Sequence, residues 1–550
     1  MSDPSRLQTP SKPFARIVRE PGHWLIPLIL IAAPTLVYWP ILHNEFVSLD
    51  DQITIYQNPY FQRLTFGGIC SFWVGPYMGL YAPIPYTLLA IISVFSRAKF
   101  VHGHRPPFQF YPAPFHAFDL LLHVANVLLV YRLLRRFVRK PWPAAAGALL
   151  FALHPVQVES VAWASETSNL LCAFFSLSAV LLYLRSAPGD PIDPSPLARR
   201  ARRSNYMLGV ESLVLAMGSK PLGVIVPLLA MIAHWLWRRQ MTQKKISTAD
   251  PPPPIELKRR RWNRWRASPR PILLWLALAI PFTIVARVGQ PVPAWWLVVP
   301  IWFRPFVAAD ALAFYLYKII FPVRLLADYD RSPRVLLEHG WWHITWIVPA
   351  VSAAGLVWLR RKKKADAVVA GAMWFVASLL PVLGFTLFAF QHSSTVADRY
   401  LYLPMVGVAL IAAWALDQVP AAAQTHSDFT PTGGSRDILS LVAEGASPGI
   451  APTGPRAFAI GYQRGISKWA ATRSRRAGVR RVVRLASLAG CTVILSLLGI
   501  RTFFQTDYWH DTLNFFAVTR EAIHRRPGAM EEEDIRHSNT APQGERYFGK

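Results

Sequence analysis

Residues Trp24–Leu42 read WLIPLILIAAPTLVYWPIL, and their reading decides the fold. The run carries no charge, and at 1.5 Å per residue a helix of this length covers about 30 Å, the depth of a bilayer's hydrocarbon layer. Basic residues from Arg6 to Arg19 precede it, as they would precede a signal peptide. The run is too long for that role and lacks a small-residue cleavage site, so it reads as a retained anchor.

Comparable runs recur down to LASLAGCTVILSLLGI (Leu485–Ile500), in a chain of 550 residues that is 53% hydrophobic and 16% charged. A soluble domain carries about a quarter charged residues. The class expected is an all-α polytopic membrane protein. A β-barrel would show alternating strands of about ten residues, which these runs do not. The net charge of +28 invites a nucleic-acid reading. Most of the Lys and Arg, however, fall in six short clusters: Arg6–Arg19, Arg132–Lys140, Arg185–Arg203, Arg238–Arg270, Arg360–Lys364 and Arg436–Arg484. Placed on the cytoplasmic side, all six obey the positive-inside rule, and no single basic face is left for nucleic acid. Cys70, Cys172 and Cys491 are too far apart to suggest a disulfide framework or a metal site.

Alternating the clusters with the apolar runs yields eleven spans with the N-terminus inside and the C-terminus outside. They are Trp24–Leu42, Phe115–Leu134, Pro141–Leu153, Asn169–Leu184, Tyr206–Gly218, Leu222–Trp237, Pro271–Val285, His343–Leu359, Ala367–Phe385, Leu401–Leu416 and Leu485–Ile500. Phe306–Phe321 is apolar enough to look like a twelfth. Parity requires either a further crossing hidden in PAWWLVVPIW (Pro293–Trp302) or Phe306–Phe321 in the outer interface, and the Trp, Tyr, Arg and Lys that punctuate the region favour the interface. The expected organisation is then a basic N-terminus (1–23), a membrane domain (24–416) with a long first outer loop (43–114), and a basic cytoplasmic linker (238–270). A polar cytoplasmic loop (417–484), the last span (485–501) and an outer tail with one helix (502–550) complete it.

Under this topology the unusual polar residues gather on the outer face, next to span ends. Asp50 and Asp51 stand side by side in NEFVSLDDQITIYQNP (Asn44–Pro59), with His154 and Glu159, Lys220, Lys318, Asp398 and Arg399 at the other outer ends. Ionisable groups at such depth are costly and usually pair or serve a site. Each has a plainer reading. The two aspartates could cap the following turn, Lys220 could snorkel, Asp398–Arg399 could be a structural ion pair, and His154 a satisfied buried histidine.

FVSLDDQITIYQNP, FHAFDLLLHVANVLLVYRLL, LHPVQVESVAWASE, AMGSKPLGVIVPLL, YLYKIIFPVRLLADY, WFVASLLPVLGF and ADRYLYLPMVGVALI occur in that order, and YWHDTLNFFAVTREAI follows at Tyr508–Ile523. The set resembles the membrane half of bacterial proteins related to the transmembrane-and-tetratricopeptide protein O-mannosyltransferases, of the glycosyltransferase C superfamily. The resemblance implies a core of that type with outer interfacial helices, in a bacterial inner membrane with its active site facing out. It implies transfer of a mannose-like sugar from a polyprenyl-phosphate carrier to a hydroxyl acceptor on a protein or glycan. One of Asp50 and Asp51, with Asp50 the preferred choice, would act as base in an inverting displacement. Arg399, Lys220 and Lys318 would hold the donor phosphate, and His154, Glu159, Asp398 and Tyr400 would line the cavity. No cofactor is required; adjacent aspartates can take a divalent ion, but the resemblance does not call for a metal.

Two features depart from the family pattern. Thr167, Ser168 and Asn169 stand where relatives place a basic-plus-acidic pair. Relatives also commonly continue into 34-residue helical repeats, so a repeat-type acceptor surface is expected to be either missing or supplied by a separate protein. These departures keep open an alternative, a non-catalytic subunit or scaffold. A transporter is disfavoured because the charges sit at span ends and no inverted repeat is visible.

Overall fold

The computed structural model describes residues 24–99, 108–187, 195–248, 270–289, 299–361, 365–385, 388–419 and 455–524. Expectations for 1–23, the linker residues 249–269, residues 293–298, the loop residues 420–454 and the tail 525–550 fall outside them.

Each of the eleven expected spans contains a helix. The first runs Leu25–Tyr38 and tightens into a 3-10 turn at Trp39–His43. Others include Ala113–Phe137, Pro141–Leu153, Thr167–Ser186, Pro196–Ser219, Val226–Thr248, Arg270–Gly289, Ile347–Arg361, Asp366–Leu379 and Met405–Asp417. Among the described residues, seven helices are long and apolar enough to cross a membrane, or eight if the bent pair Pro141–Leu153 and Pro155–Ala162 is one span. Several leave large apolar side chains outward, such as Val351, Val357 and Trp358 on Ile347–Arg361. Such faces suit lipid, which also obliges the backbone to satisfy itself within helices.

The core is a bundle in which Ala113–Phe137 packs on Pro141–Leu153 and Thr167–Ser186, while Met405–Asp417 packs on Pro141–Leu153 and Asp366–Leu379. Small residues set these approaches, as expected where lipid supplies no hydrophobic drive between helices. A Cβ added to Gly407 would lie 2.2 Å from the Gly371 carbonyl oxygen, and one added to Gly371 would lie 2.6 Å from the Gly407 oxygen.

The long loop after the first helix is folded. It contains a π-helical turn at Gln52–Tyr56, helices at Phe66–Val74 and Pro83–Phe95, and a two-stranded ribbon pairing Arg97–Lys99 with Phe108–Phe110. Aromatic rings knit it: Phe72 stacks on Tyr86 at 4.9 Å, and Tyr77 meets both edge-on. Arg304–Ile320 is a 17-residue helix whose Asp310 and Lys318 are buried.

One expectation is corrected. The stretch expected to continue as a polar loop to residue 484 is helical from Pro455, in a helix that runs to Thr506. Its charge suggested a loop, but Pro455 is its only proline and Ala and Arg recur throughout. These are strong helix formers, and proline at the first turn starts a helix.

Candidate active site

Two broken segments bring the polar groups together. In the first, helix Pro141–Leu153 stops at His154–Pro155, because proline cannot continue it. The chain then makes a 3-10 turn (Pro155–Gln157), a short helix (Val158–Ala162), an extended step at Trp163 and a second 3-10 turn (Ala164–Glu166) before Thr167–Ser186 begins. Nearly every residue of this stretch is buried. In the second, a 3-10 turn (Asp398–Leu401) precedes helix Met405–Asp417. Irregular backbone survives in a membrane domain only where protein or a cavity covers it.

Arg399 joins the two. Its guanidinium pairs with Glu159 through Nη1, and its Nε lies 3.6 Å from Glu166 Oε1. Its backbone N–H donates to Glu159 Oε2 at 2.7 Å, and its carbonyl accepts from Asn169 Nδ2 at 2.8 Å. The rings of Phe390, Tyr400 and Trp163 surround the guanidinium, Phe390 at 4.2 Å. Glu166 also takes Lys220 Nζ at 2.6 Å. The result is an alternating chain: Glu159, Arg399, Glu166, Lys220. Breaking a buried pair of this kind strands a charge, which costs about 3–5 kcal/mol.

The adjacent aspartates do different things. Asp51 is 1% exposed. Its Oδ2 accepts from Val47 N at 3.0 Å, and its Oδ1 accepts from Ser165 N at 2.9 Å and from Ser165 Oγ. Burial pushes its carboxyl up to about 7, against the pull of those donors. Asp50 is exposed and its carboxylate accepts no hydrogen bond among the described residues; only its backbone oxygen is used, by Ile53 N, Thr54 N and Thr54 Oγ1. Surrounding protein raises its pKa, Arg399 lowers it, Glu166 raises it and Lys220 lowers it. The aspartates therefore do not cap the turn with their side chains. One ties the loop to Ser165, and the other is left free beside the charge chain.

The remaining expected residues have partners of their own. Tyr329 Oη donates to Asp398, 2.9 and 2.8 Å from its two oxygens. Burial, then Glu159, push the Asp398 carboxyl up to about 8, well above the ordinary carboxylate range. Lys318 Nζ donates to the carbonyls of Val323 and Arg324 at 2.7 and 2.9 Å and lies over the Tyr329 ring. His154 Nε2 lies 3.0 Å from the Ile319 carbonyl oxygen. Glu159, Asp398, Leu325, Leu326, Tyr508 and Trp509 are among the residues that line a crevice too narrow to hold a water molecule, and Asp50 and Arg399 do not line it.

Sequence reasoning did not single out Ser165 and Glu166, nor a role for Asn169. Glu166 lay inside a quoted motif, and a buried acid within reach of two expected cations was the available signal. The altered positions are not idle: Asn169 holds Arg399 and Ser160, and Thr167 Oγ1 donates to Asp119 at 2.6 Å. Among the described residues no group of three or more His, Cys, Asp or Glu could hold a metal ion.

No family model matches the chain. Curated relatives include Protein O-mannosyl-transferase TMTC1 of Mus musculus, 31% identical over 179 residues, which are 30% of this chain and 18% of that protein. Tmtc2 of Drosophila melanogaster is 35% identical over 86 residues (15% and 9%), and human TMTC4 is 37% identical over 90 residues (14% and 12%). The matched part thus spans less than a fifth of each relative. Among solved structures, ArnT from Cupriavidus metallidurans bound to undecaprenyl phosphate is 14% identical with a TM-score of 0.40, covering 92% of this chain and 79% of that one. AglB from Archaeoglobus fulgidus, in complex with an inhibitory peptide and a dolichol-phosphate, is 12% identical with a TM-score of 0.40, covering 94% and 60%. The chain is a multi-pass, largely helical membrane protein similar in sequence to the TMTC protein O-mannosyl-transferases.

Proposed function

We propose that this protein is a membrane glycosyltransferase of the C superfamily type, moving a mannose-like sugar from a polyprenyl-phosphate donor to a hydroxyl acceptor on a protein or glycan. The observation that carries the reading is the Asp50 carboxylate, which accepts no hydrogen bond among the described residues and feels the charges of Arg399, Glu166 and Lys220, in a loop fixed by Asp51. Asp50 takes the acceptor's proton as its oxygen attacks the anomeric carbon. The bond from that carbon to the phosphate oxygen breaks, and the electron pair leaves with the lipid phosphate. One base and a stabilised leaving group suffice for this inverting displacement, without the paired acid and base of glycoside hydrolases. Arg399, with its planar donor fork, is the principal phosphate ligand and Lys220 the second. Lys318, bound to loop carbonyls, is an indirect contributor; His154, Glu159, Asp398 and Tyr400 shape the surrounding wall.

The accompanying topology is eleven spans, N-in and C-out, in a bacterial inner membrane with the site facing out and Arg304–Ile320 in the outer interface. In a variant lacking Cys70, Cys172 and Cys491, Val74→Cys should react with an impermeant thiol reagent in intact spheroplasts and Leu197→Cys should not, both positions being exposed. Labelling of Leu197→Cys alone would reverse the orientation. The activity is tested in proteoliposomes with a labelled polyprenyl-phosphate-mannose and a hydroxyl-bearing peptide. Transfer that vanishes in Asp50→Asn is expected. A second reading, a non-catalytic subunit, rests on the finding that Arg399 and Lys220 are already paired with carboxylates. It would be favoured by donor binding without turnover.

A further inference from the structure

We propose that Tyr508–Thr512 is a clasp that sets the position of Asp50, with Thr512 as a positioning residue; this rests on the reading of Asp50 as base. The segment lies directly after the helix that ends at Thr506, at the far end of the chain from the loop it holds. Glu45 N donates to the His510 carbonyl at 2.7 Å, and Asn44 Nδ2 donates to the Trp509 carbonyl at 3.0 Å. Ser48 N donates to Thr512 Oγ1 at 3.0 Å, and the same hydroxyl lies 3.4 Å from the Phe46 carbonyl oxygen. The residues so held, Asn44 to Ser48, are the ones that lead into Asp50.

The other side of the segment grips the opposite wall of the site. The Trp509 indole, 2% exposed, stacks on Trp163 at 5.3 Å with an interplanar angle of 21°. Trp163 is two residues before Ser165, which fixes Asp51, and three before Glu166, which bridges the cations. Phe515 packs on both Tyr508 and Trp509. Tyr508 Oη lies 2.9 Å from Thr519 Oγ1 and accepts from Ala327 N at 3.4 Å, which ties the segment to the loop that carries Tyr329, the partner of Asp398. This one short segment thus touches both pieces of backbone whose separation places the base against the leaving-group cations, Trp509 holding Trp163 while Trp509, His510 and Thr512 hold residues 44–48.

A turn of the loop that moves a base by 1 Å can cost a hundredfold in rate. Glu45 and Ser48 donate through their backbone amides, so among the side chains of this contact Thr512 is the one whose loss is cleanly testable. Valine keeps its branched shape and removes its hydroxyl, whereas serine keeps the hydroxyl.

The test uses the full chain in proteoliposomes with two readouts. In hydrogen exchange, Thr512→Val should exchange residues 44–50 at least about tenfold faster than the parent, with helix Ala113–Phe137 unchanged. In the transfer assay, kcat should fall about 10- to 100-fold while KM for the donor stays within about twofold, since the phosphate cations lie on other segments. Thr512→Ser should restore both. Faster exchange with unaltered kcat would overturn the positioning role, and so would equal losses in the valine and serine variants or exchange that rises throughout the protein. If the parent transfers no sugar from any lipid-phosphate donor, the proposed function fails. The exchange arm still decides whether the clasp holds the loop.

Discussion

The clearest test of the site exploits the unequal roles of two neighbouring aspartates. Asparagine at position 51 has one acceptor oxygen where Asp51 has two, and three donors converge there. With its oxygen toward Ser165, the new amide group faces the Val47 N–H; flipped, it faces both Ser165 donors. Even the better choice loses one hydrogen bond, about 0.5–1.5 kcal/mol, and strands a buried donor, about 1–3 kcal/mol. Measured above pH 7, where the Asp51 carboxyl is ionised and both oxygens accept, Asp51→Asn should therefore destabilise the folded protein by about 2–4 kcal/mol. Asp50→Asn removes no side-chain hydrogen bond, so stability should stay within about 0.5 kcal/mol. Loss of the base should instead lower turnover by about 10²–10⁴-fold. Chemical or thermal unfolding in detergent, followed by tryptophan fluorescence, measures the first effect, and sugar transfer per folded molecule measures the second. A stable, inactive Asp51→Asn beside an active Asp50→Asn would exchange the two assignments. Full transfer by both variants would remove the mechanism.

Three further outcomes are expected. Asp51's folded-state pKa of about 7 lies above its ordinary value of 3.8, so between these pH values the native state keeps a proton that the unfolded state releases. Its contribution is present in full below about pH 4 and is lost as the pH rises to about 7; unfolding titrations of Asp51→Asn should show that slope flattened. Glu166→Gln should tighten binding of undecaprenyl phosphate severalfold by freeing Lys220 from its carboxylate; weaker binding, measured by calorimetry in detergent, would show that the pair only supports the fold. Gly407→Ala would place a methyl 2.2 Å from the Gly371 carbonyl oxygen. It should cost about 1–3 kcal/mol, and an unfolding midpoint equal to the parent's would mean the two helices separate easily.

The helices were legible because a bilayer imposes length and apolarity on each span separately, so Trp24–Leu42 or Leu485–Ile500 can be read without the rest of the chain. The site was legible only in its ingredients. Arg399 meets Glu159 across 240 residues and Ser48 meets Thr512 across 464, and no local pattern encodes such pairings. Asp50 and Asp51 look alike in sequence. They differ because Asp51 turns inward, where Ser165 waits, and Ser165 itself is brought there by breaks at Pro155 and Trp163. The helix from Pro455 departs from expectation for a related reason: charge density signals solvent, and solvent exposure is compatible with a helix as well as with a loop.

The pairing of the cations also bears on how such a site would work. Arg399 and Lys220 are balanced by Glu159 and Glu166, so an incoming phosphodiester, with one negative charge, meets little net attraction. As the bond to the sugar breaks, the phosphate gains charge and competes better with Glu166 for Lys220. Interactions that strengthen along the reaction lower the barrier, whereas uniformly strong binding would only hold the donor. On this view Glu166 weakens the ground state more than the transition state, and the alternating chain of charges is a means of keeping the clamp's full strength for the moment of transfer. The scaffold reading needs the same chain only as a tie between segments. That is why donor affinity in Glu166→Gln, rather than stability, separates the two.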